Sequence, residues 1–286
     1  MENYTESSNS TNTIIPILKK THDVLVVVIL VSIMFGMGCY TTGKQLWSHI
    51  RRPVSLIIGM ICQFVIMPLT GFTLVKLLSI SPIHATGVLI VSTCPGGAVS
   101  NVLTYFCSGD VPLSVAMTTW STMIALGMMP LNIFMYGNNI ATDDVVIPYV
   151  NILLSLIYIT SPVAAGMLVR WKLPKVAPYF TKIGSTVGFA GITAAQVMEV
   201  FIFPDLFEDI TWQVYVTSAL QPLLGIIFGF TISWLIKRPS STCRTIGIES
   251  GIQNIGTALT VISLSFDFEL IPYIIPQFTL VTRRFW

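Results

Sequence analysis

The sequence predicts an all-α polytopic membrane protein of about nine transmembrane helices, and three observations carry that prediction. Charged residues make up 10% of the 286 positions, against about 25% in soluble domains, while 53% are apolar. Mean hydropathy is +0.78, too high for a chain of this length that must keep a wettable surface. Apolar runs of spanning length recur eight times, at 24–42, 54–75, 83–106, 113–136, 147–169, 183–203, 210–236 and 245–266. About 20 residues rising 1.5 Å each cross a 30 Å hydrocarbon core, so each run is a candidate span.

The first 23 residues are polar, show no leader-like apolar core, and carry two glycosylation acceptors at Asn3 and Asn9. With this tail outside, the inward loops collect Lys44, Arg51, Arg52, Arg170, Lys172, Lys175, Lys237, Arg238 and Arg244, followed by Arg283 and Arg284. The outward loops hold Asp143, Asp144, Asp205, Glu208, Asp209, Asp267 and Glu269, with Lys76 the one cation between spans. That asymmetry follows the positive-inside rule and sets the N-terminus outside. A net charge of only +2 and short basic loops suit topology setting and no nucleic-acid partner.

The third run breaks its own helix. In "STCPGGAVSN", Pro95 removes a backbone donor, and Gly96 and Gly97 permit non-helical backbone. Irregular backbone at membrane depth is tolerated where it lines a cavity or is buried in protein, and here Ser100 and Asn101 follow as oxygen donors. By contrast, Gly184 and Gly188, or Gly225 and Gly229, read as helix-packing devices. The fourth to seventh runs are otherwise uniform, apart from Glu199 close enough to an outer end to reach the interface.

The eighth run holds "ESGIQN", with Glu249, Gln253 and Asn254 where lipid-compatible residues belong. An unpaired carboxylate there costs at least about 2.5–3.5 kcal/mol on insertion scales. No lysine or arginine lies within a span to pair with it, which leaves a proton or a cation. The third and eighth runs are five spans apart and so cross in opposite directions. Broken helices at matching places in antiparallel halves point to a secondary transporter built on inverted repeats. The ninth run, 270–280, has two prolines and only 11 residues, a half-helix by length, before a short tail at 281–286.

Enzyme and cofactor readings find little here. The five cysteines form no CxxC pair, the three histidines sit near span ends, and no HExxH or paired-aspartate arrangement occurs in the spans. The expectation is no enzyme and no cofactor beyond coupling ions.

At these residues the chain resembles the bile acid:sodium symporter family. "CPGG", "SN", the block "GDVPLSVAMTTWST" (109–122), "ALGMMPL" (125–131) and "ESGIQN" (249–254) agree with it in order and spacing. "LWSHIRRP" and "CQFVIMPLTGF" further resemble the ileal bile acid and sulfated-steroid branch. The resemblance implies an inverted-repeat fold with a panel domain (about 24–42, 147–169 and 183–203) and a core domain (about 54–136 and 210–280). It implies one sodium site at Ser100, Asn101, Ser114, Thr118 and Glu249, and another at Gln63, Glu249 and Gln253. Substrate would be an amphipathic organic anion, such as a bile salt or steroid sulfate, meeting Asn254, Pro95, Gly96 and Gly97. The function implied is sodium-coupled import across a membrane, expected to be the plasma membrane, by alternating access.

Three departures stand out: Trp120 replaces a small cysteine and would crowd the core, Gly256 replaces a polar residue, and the last helix is short. The alternative function is therefore a non-transporting membrane protein that binds a ligand or partner. The orientation gives a first test. Glycosidase treatment of protein made in cells should shift its gel mobility, through Asn3 and Asn9. An unshifted band, with an N-terminal tag reachable only after permeabilisation, would reverse the topology.

Overall fold

The structure, a computed structural model, describes Thr21, Val24, Leu25 and residues 27–43, 53–140, 147–202 and 211–266. Asn3, Asn9, the acidic residues 143–144 and 205–209, the basic residues at 44, 51 and 52, and the run 270–280 with its tail lie outside the described residues.

Every described apolar run is helical, as a chain in hydrocarbon must be if its backbone groups are to find partners within the segment. In chain order these are α1 (Val27–Tyr40) and α2 (Val54–Leu77), then α3 (Pro82–Thr93) and α4 (Ala98–Phe106). They continue with α5 (Val111–Gly137), α6 (Tyr149–Lys172), α7 (Ala177–Ile202) and α8 (Trp212–Leu235), then α9 (Ser240–Gly251) and α10 (Ile255–Ser265). Four of them, α2, α5, α6 and α8, are each long and apolar enough to cross a membrane unaided. The third and eighth runs are each split, into α3–α4 and α9–α10. The breaks fall at Cys94–Gly97 and Ile252–Asn254, where the glycines and the polar cluster place them.

Two helix starts differ from the hydropathy boundaries. The seventh helix begins at Ala177, six residues ahead of the run, and α9 begins at Ser240, five ahead. Polar letters hide the start of α9. In α9, Thr242, Cys243 and Thr245 are buried against protein, so polarity there carries no penalty from lipid.

Close approach between small residues orders the helices. A Cβ on Gly38 would lie 2.2 Å from the Val163 carbonyl oxygen, and one on Gly184 would lie 2.6 Å from that of Ser32. Those contacts hold α1 against α6 and α7, and Gly188 likewise faces Ile33. On the other side, Gly225 and Gly229 of α8 meet Gly251 and Gly247 of α9, with a Cβ on Gly225 falling 2.7 Å from Gly251 Cα. Small faces let backbones approach where hydrophobicity supplies no drive. The largest buried cluster, with Met34, Ile90, Met129, Ile133, Leu156 and Ile262, joins α1, α3, α5, α6 and α10. A second, around Met117, Leu56 and Ile246, ties α5 to α2 and α9. Large apolar side chains such as Tyr158, Leu223 and Phe228 face outward, as a lipid-facing surface requires.

Two local features set the height and start of the helices around the breaks. Residues Cys62–Ile66 of α2 form a π-helical turn, a feature common at functional sites. Asn132 of α5 braces it by donating from Nδ2 to the Phe64 carbonyl oxygen at 3.0 Å. At the start of α5, Asp110 caps the helix by accepting from the Leu113 N–H at 3.1 Å.

Candidate ion-binding site

The two breaks meet. Gly96 and Gln253 form an antiparallel bridge, in which the Asn254 N–H donates to the Pro95 carbonyl at 2.8 Å and the Gly97 N–H to that of Ile252 at 3.1 Å. Four half-helices therefore converge on one crossing, with the N-termini of α4 and α10 and the C-termini of α3 and α9 directed at it. The approach is too close for side chains. A Cβ on Gly96 would lie 2.5 Å from Glu249 Oε1, and one on Gly97 2.8 Å from the Gln253 carbonyl oxygen. Ser121 of α5 secures the crossing by accepting from the Gly96 N–H at 3.2 Å.

Glu249 lies at this crossing, 1% exposed. Its Oε2 accepts from the hydroxyls of Ser100 at 2.5 Å and Ser114 at 2.8 Å, and its Oε1 accepts from Thr118. Ser100 comes from α4, while Ser114 and Thr118 stand one turn apart on α5. All three are fully buried. Asn101, partly buried, completes the group with its Oδ1 3.4 Å from the Thr118 hydroxyl. The five residues of the first expected ion site are thus brought together.

Proton arithmetic then shows what the group lacks. Ser100 also reaches the Gly97 carbonyl at 2.5 Å, and Thr118 also reaches the Ser114 carbonyl at 3.0 Å. The three hydroxyls make six oxygen contacts within hydrogen-bond reach, yet each carries one proton. Half of those contacts are oxygen facing oxygen around the carboxylate, a surplus of lone pairs that either a proton or a bound cation would relieve. Among the described residues no group of three His, Cys, Asp or Glu side chains exists, so the donors here are hydroxyl, amide, carbonyl and one carboxylate. Hard, oxygen-preferring cations suit such a set, and soft metals do not.

The second expected group is also assembled, apart from the carboxylate. Gln63 Nε2 donates to Gln253 Oε1 at 2.5 Å and to the Cys94 carbonyl at 2.6 Å, and Gln253 Nε2 donates to the Ser250 carbonyl at 2.8 Å. All three of the Glu249 hydrogen bonds go to the first group. Asn254 caps α10, its Oδ1 accepting from the Thr257 N–H at 3.1 Å, and its NH2 has no hydrogen-bond partner among the described residues. Of the departures, Trp120 is partly buried against the Met117 cluster, with its Nε1 unpartnered. At Gly256 a Cβ would meet Leu30 Cδ2 at 2.5 Å.

Reasoning from the residues alone reaches Glu249, Gln253, Ser100 and Asn101, because each breaks a rule of the span it occupies. It misses Ser121 and Asn132, which hold the crossing and the π-turn. A lone Ser or Asn in a span gives no such signal. The crossing also yields a test. Gly96→Ala should destabilise the purified protein by about 1–3 kcal/mol through overpacking. Gly127→Ala, where a Cβ meets nothing within 4 Å, should not. Equal melting temperatures for the two variants would mean that Glu249 does not press on Gly96.

The chain is similar to known proteins over most of its length. The model of the sodium bile acid symporter family matches residues 27–205. The sodium-dependent organic anion transporter of Rattus norvegicus is 39% identical over 253 residues, covering 88% of this chain and 68% of that one. The ileal sodium/bile acid cotransporter of Oryctolagus cuniculus is 39% identical over 261 residues, covering 90% and 74%. Its counterpart in Homo sapiens is 39% identical over 254 residues, covering 88% and 73%. The chain belongs to the sodium bile acid symporter family, a family of membrane transporters and not of enzymes.

Proposed function

We propose that this chain imports an amphipathic organic anion, a bile salt or steroid sulfate, together with sodium across the plasma membrane by alternating access. The surplus of bare oxygen around the buried Glu249 carboxylate carries the reading. A sodium ion there would take Ser100, Asn101, Ser114, Thr118 and Glu249 as ligands. A second would take Gln63 and Gln253, with Glu249 near enough along α9 to contribute its charge. Neutralised by cations, the crossing becomes receptive to an anion at the α4 and α10 N-termini, where the Asn254 amide and the backbone at Pro95, Gly96 and Gly97 lie. The close set of α1, α6 and α7 would form the panel, and the helices that carry the crossing would form the core moving against it.

The carboxylate decides the first test. Glu249→Gln keeps the shape and removes the charge, so sodium-driven uptake of labelled taurocholate and estrone sulfate should fall to background while surface expression persists. Uptake with unchanged sodium dependence in that variant would sink the assignment.

Stoichiometry decides the second. Two sodium ions with one monovalent anion carry one net positive charge inward, worth about 2.3 kcal/mol per 100 mV or roughly 1.4 kcal/mol at about −60 mV. Under voltage clamp, substrate should evoke an inward current in sodium but not in choline, growing as the interior becomes more negative. An electroneutral response would remove the Gln63–Gln253 site from the reading.

A further inference from the structure

The second donor group contains a choice that its surroundings settle. Gln63 hangs from the π-turn of α2 and is 1% exposed. Its Nε2 faces the Cys94 carbonyl at 2.6 Å and Gln253 Oε1 at 2.5 Å. Both neighbours can only accept. The Cys94 carbonyl is released where α3 ends, and the Gln253 nitrogen is committed to Ser250 at 2.8 Å.

A primary amide has a donor end and an acceptor end of nearly the same shape. With its nitrogen inward, Gln63 supplies one proton to each oxygen and the pocket is satisfied. Turned over, it would set a third oxygen against those two, an arrangement that holds together only around a cation. The pocket therefore has two consistent fillings: the NH2 group without an ion, or the amide oxygen with one.

We propose that the Gln63 amide is a tethered stand-in for the coupling cation, its NH2 occupying the Cys94–Gln253 oxygen pair until an arriving ion turns the amide over and takes its oxygen as a ligand. This rests on the sodium-coupled reading of the site and adds how the unloaded carrier behaves. A symporter must recross the membrane empty to complete a net cycle. Cys94 belongs to the first broken helix and Gln253 to the second. Without an ion, their two oxygens would be left facing each other at a buried crossing. The NH2 group links them through two hydrogen bonds and keeps the crossing closed for the return. Asn132, by holding the π-turn, keeps Gln63 at the height where it can serve both. Loaded carrier moving in both directions has no such need.

Gln63→Glu separates the two roles, since it keeps oxygen ligands and removes the NH2 group, whereas Gln63→Leu removes both. In liposomes reconstituted with the full chain, taurocholate exchange with sodium and substrate on both sides should fall in Gln63→Glu by much less than net uptake does. Net sodium-driven uptake into empty liposomes should fall at least ten-fold. Both modes should fail in Gln63→Leu. Equal losses of exchange and net uptake in Gln63→Glu, or no loss of either, would overturn the proposal. Melting in detergent gives a readout independent of transport. Saturating sodium should raise the melting temperature of the unsubstituted chain, and raise that of Gln63→Glu by more, because its ion-free form has lost the link. Equal shifts would overturn the role of the amide alone. No sodium shift in the unsubstituted chain would overturn the coupling reading on which it rests.

Discussion

A single carboxylate buried with no basic partner among the described residues sets the terms for the rest of the molecule. Glu249 is 1% exposed, and an uncompensated charge at such depth costs several kcal/mol. Its hydrogen-bond donors come from two helices, α4 and α5, which must converge on one point of α9. Convergence that tight requires backbone without side chains, hence Gly96 against the carboxylate itself. It also requires that both broken helices surrender backbone bonds, and the antiparallel bridge between Gly96 and Gln253 recovers two of them. The breaks, the glycines and the bridge are thus one solution to one electrostatic problem.

Hydroxyl donors are well chosen for that problem because they are weakly committed. A hydroxyl rotates freely, and two of the three here have a backbone carbonyl within reach as well. Thr118 can turn from Glu249 to the Ser114 carbonyl of its own helix, 3.0 Å away, and Ser100 to the Gly97 carbonyl. When the carboxylate acquires another partner, these protons have somewhere to go, and the oxygens they leave behind become ligands. Lysine or arginine at the same place would neutralise Glu249 permanently and leave nothing to exchange.

Much of this was legible from residue types. Each of the eight described runs became a helix or a pair of half-helices, since hydrocarbon leaves the backbone few alternatives. Pro95, Gly96 and Gly97 announced one break, and Glu249, Gln253 and Asn254 announced the other, because they are misfits in a span. Ser114 and Thr118 were reached through family resemblance alone. Thr118 shows why: it bonds back to its own helix, as an ordinary span threonine does, and faces Glu249 as well. The π-turn under Gln63 has no signature in "CQFVI", because a one-residue change in helical pitch leaves no mark on the hydrophobic pattern where every position but Gln63 is apolar. The first turns of α9 were hidden for the opposite reason, their polar residues Thr242 and Thr245 being covered by protein instead of lipid.

That π-turn also determines which length changes α2 can accept. An α-helix advances 100° per residue, and a π-turn accommodates one residue more than a regular turn does. Deleting a single residue from Cys62–Ile66 would restore regular hydrogen bonding and, taken alone, make a better helix. It would also rotate everything beyond it by about 100° relative to everything before. Met67, whose sulfur packs against Gly225, and Gly71, which faces Ser92, would swing off their partners while Leu56 and Ile58 stayed on theirs. The irregular turn therefore works as a phase shifter between two halves of one span. In this helix an insertion or deletion of one residue should be selected against more strongly than most substitutions.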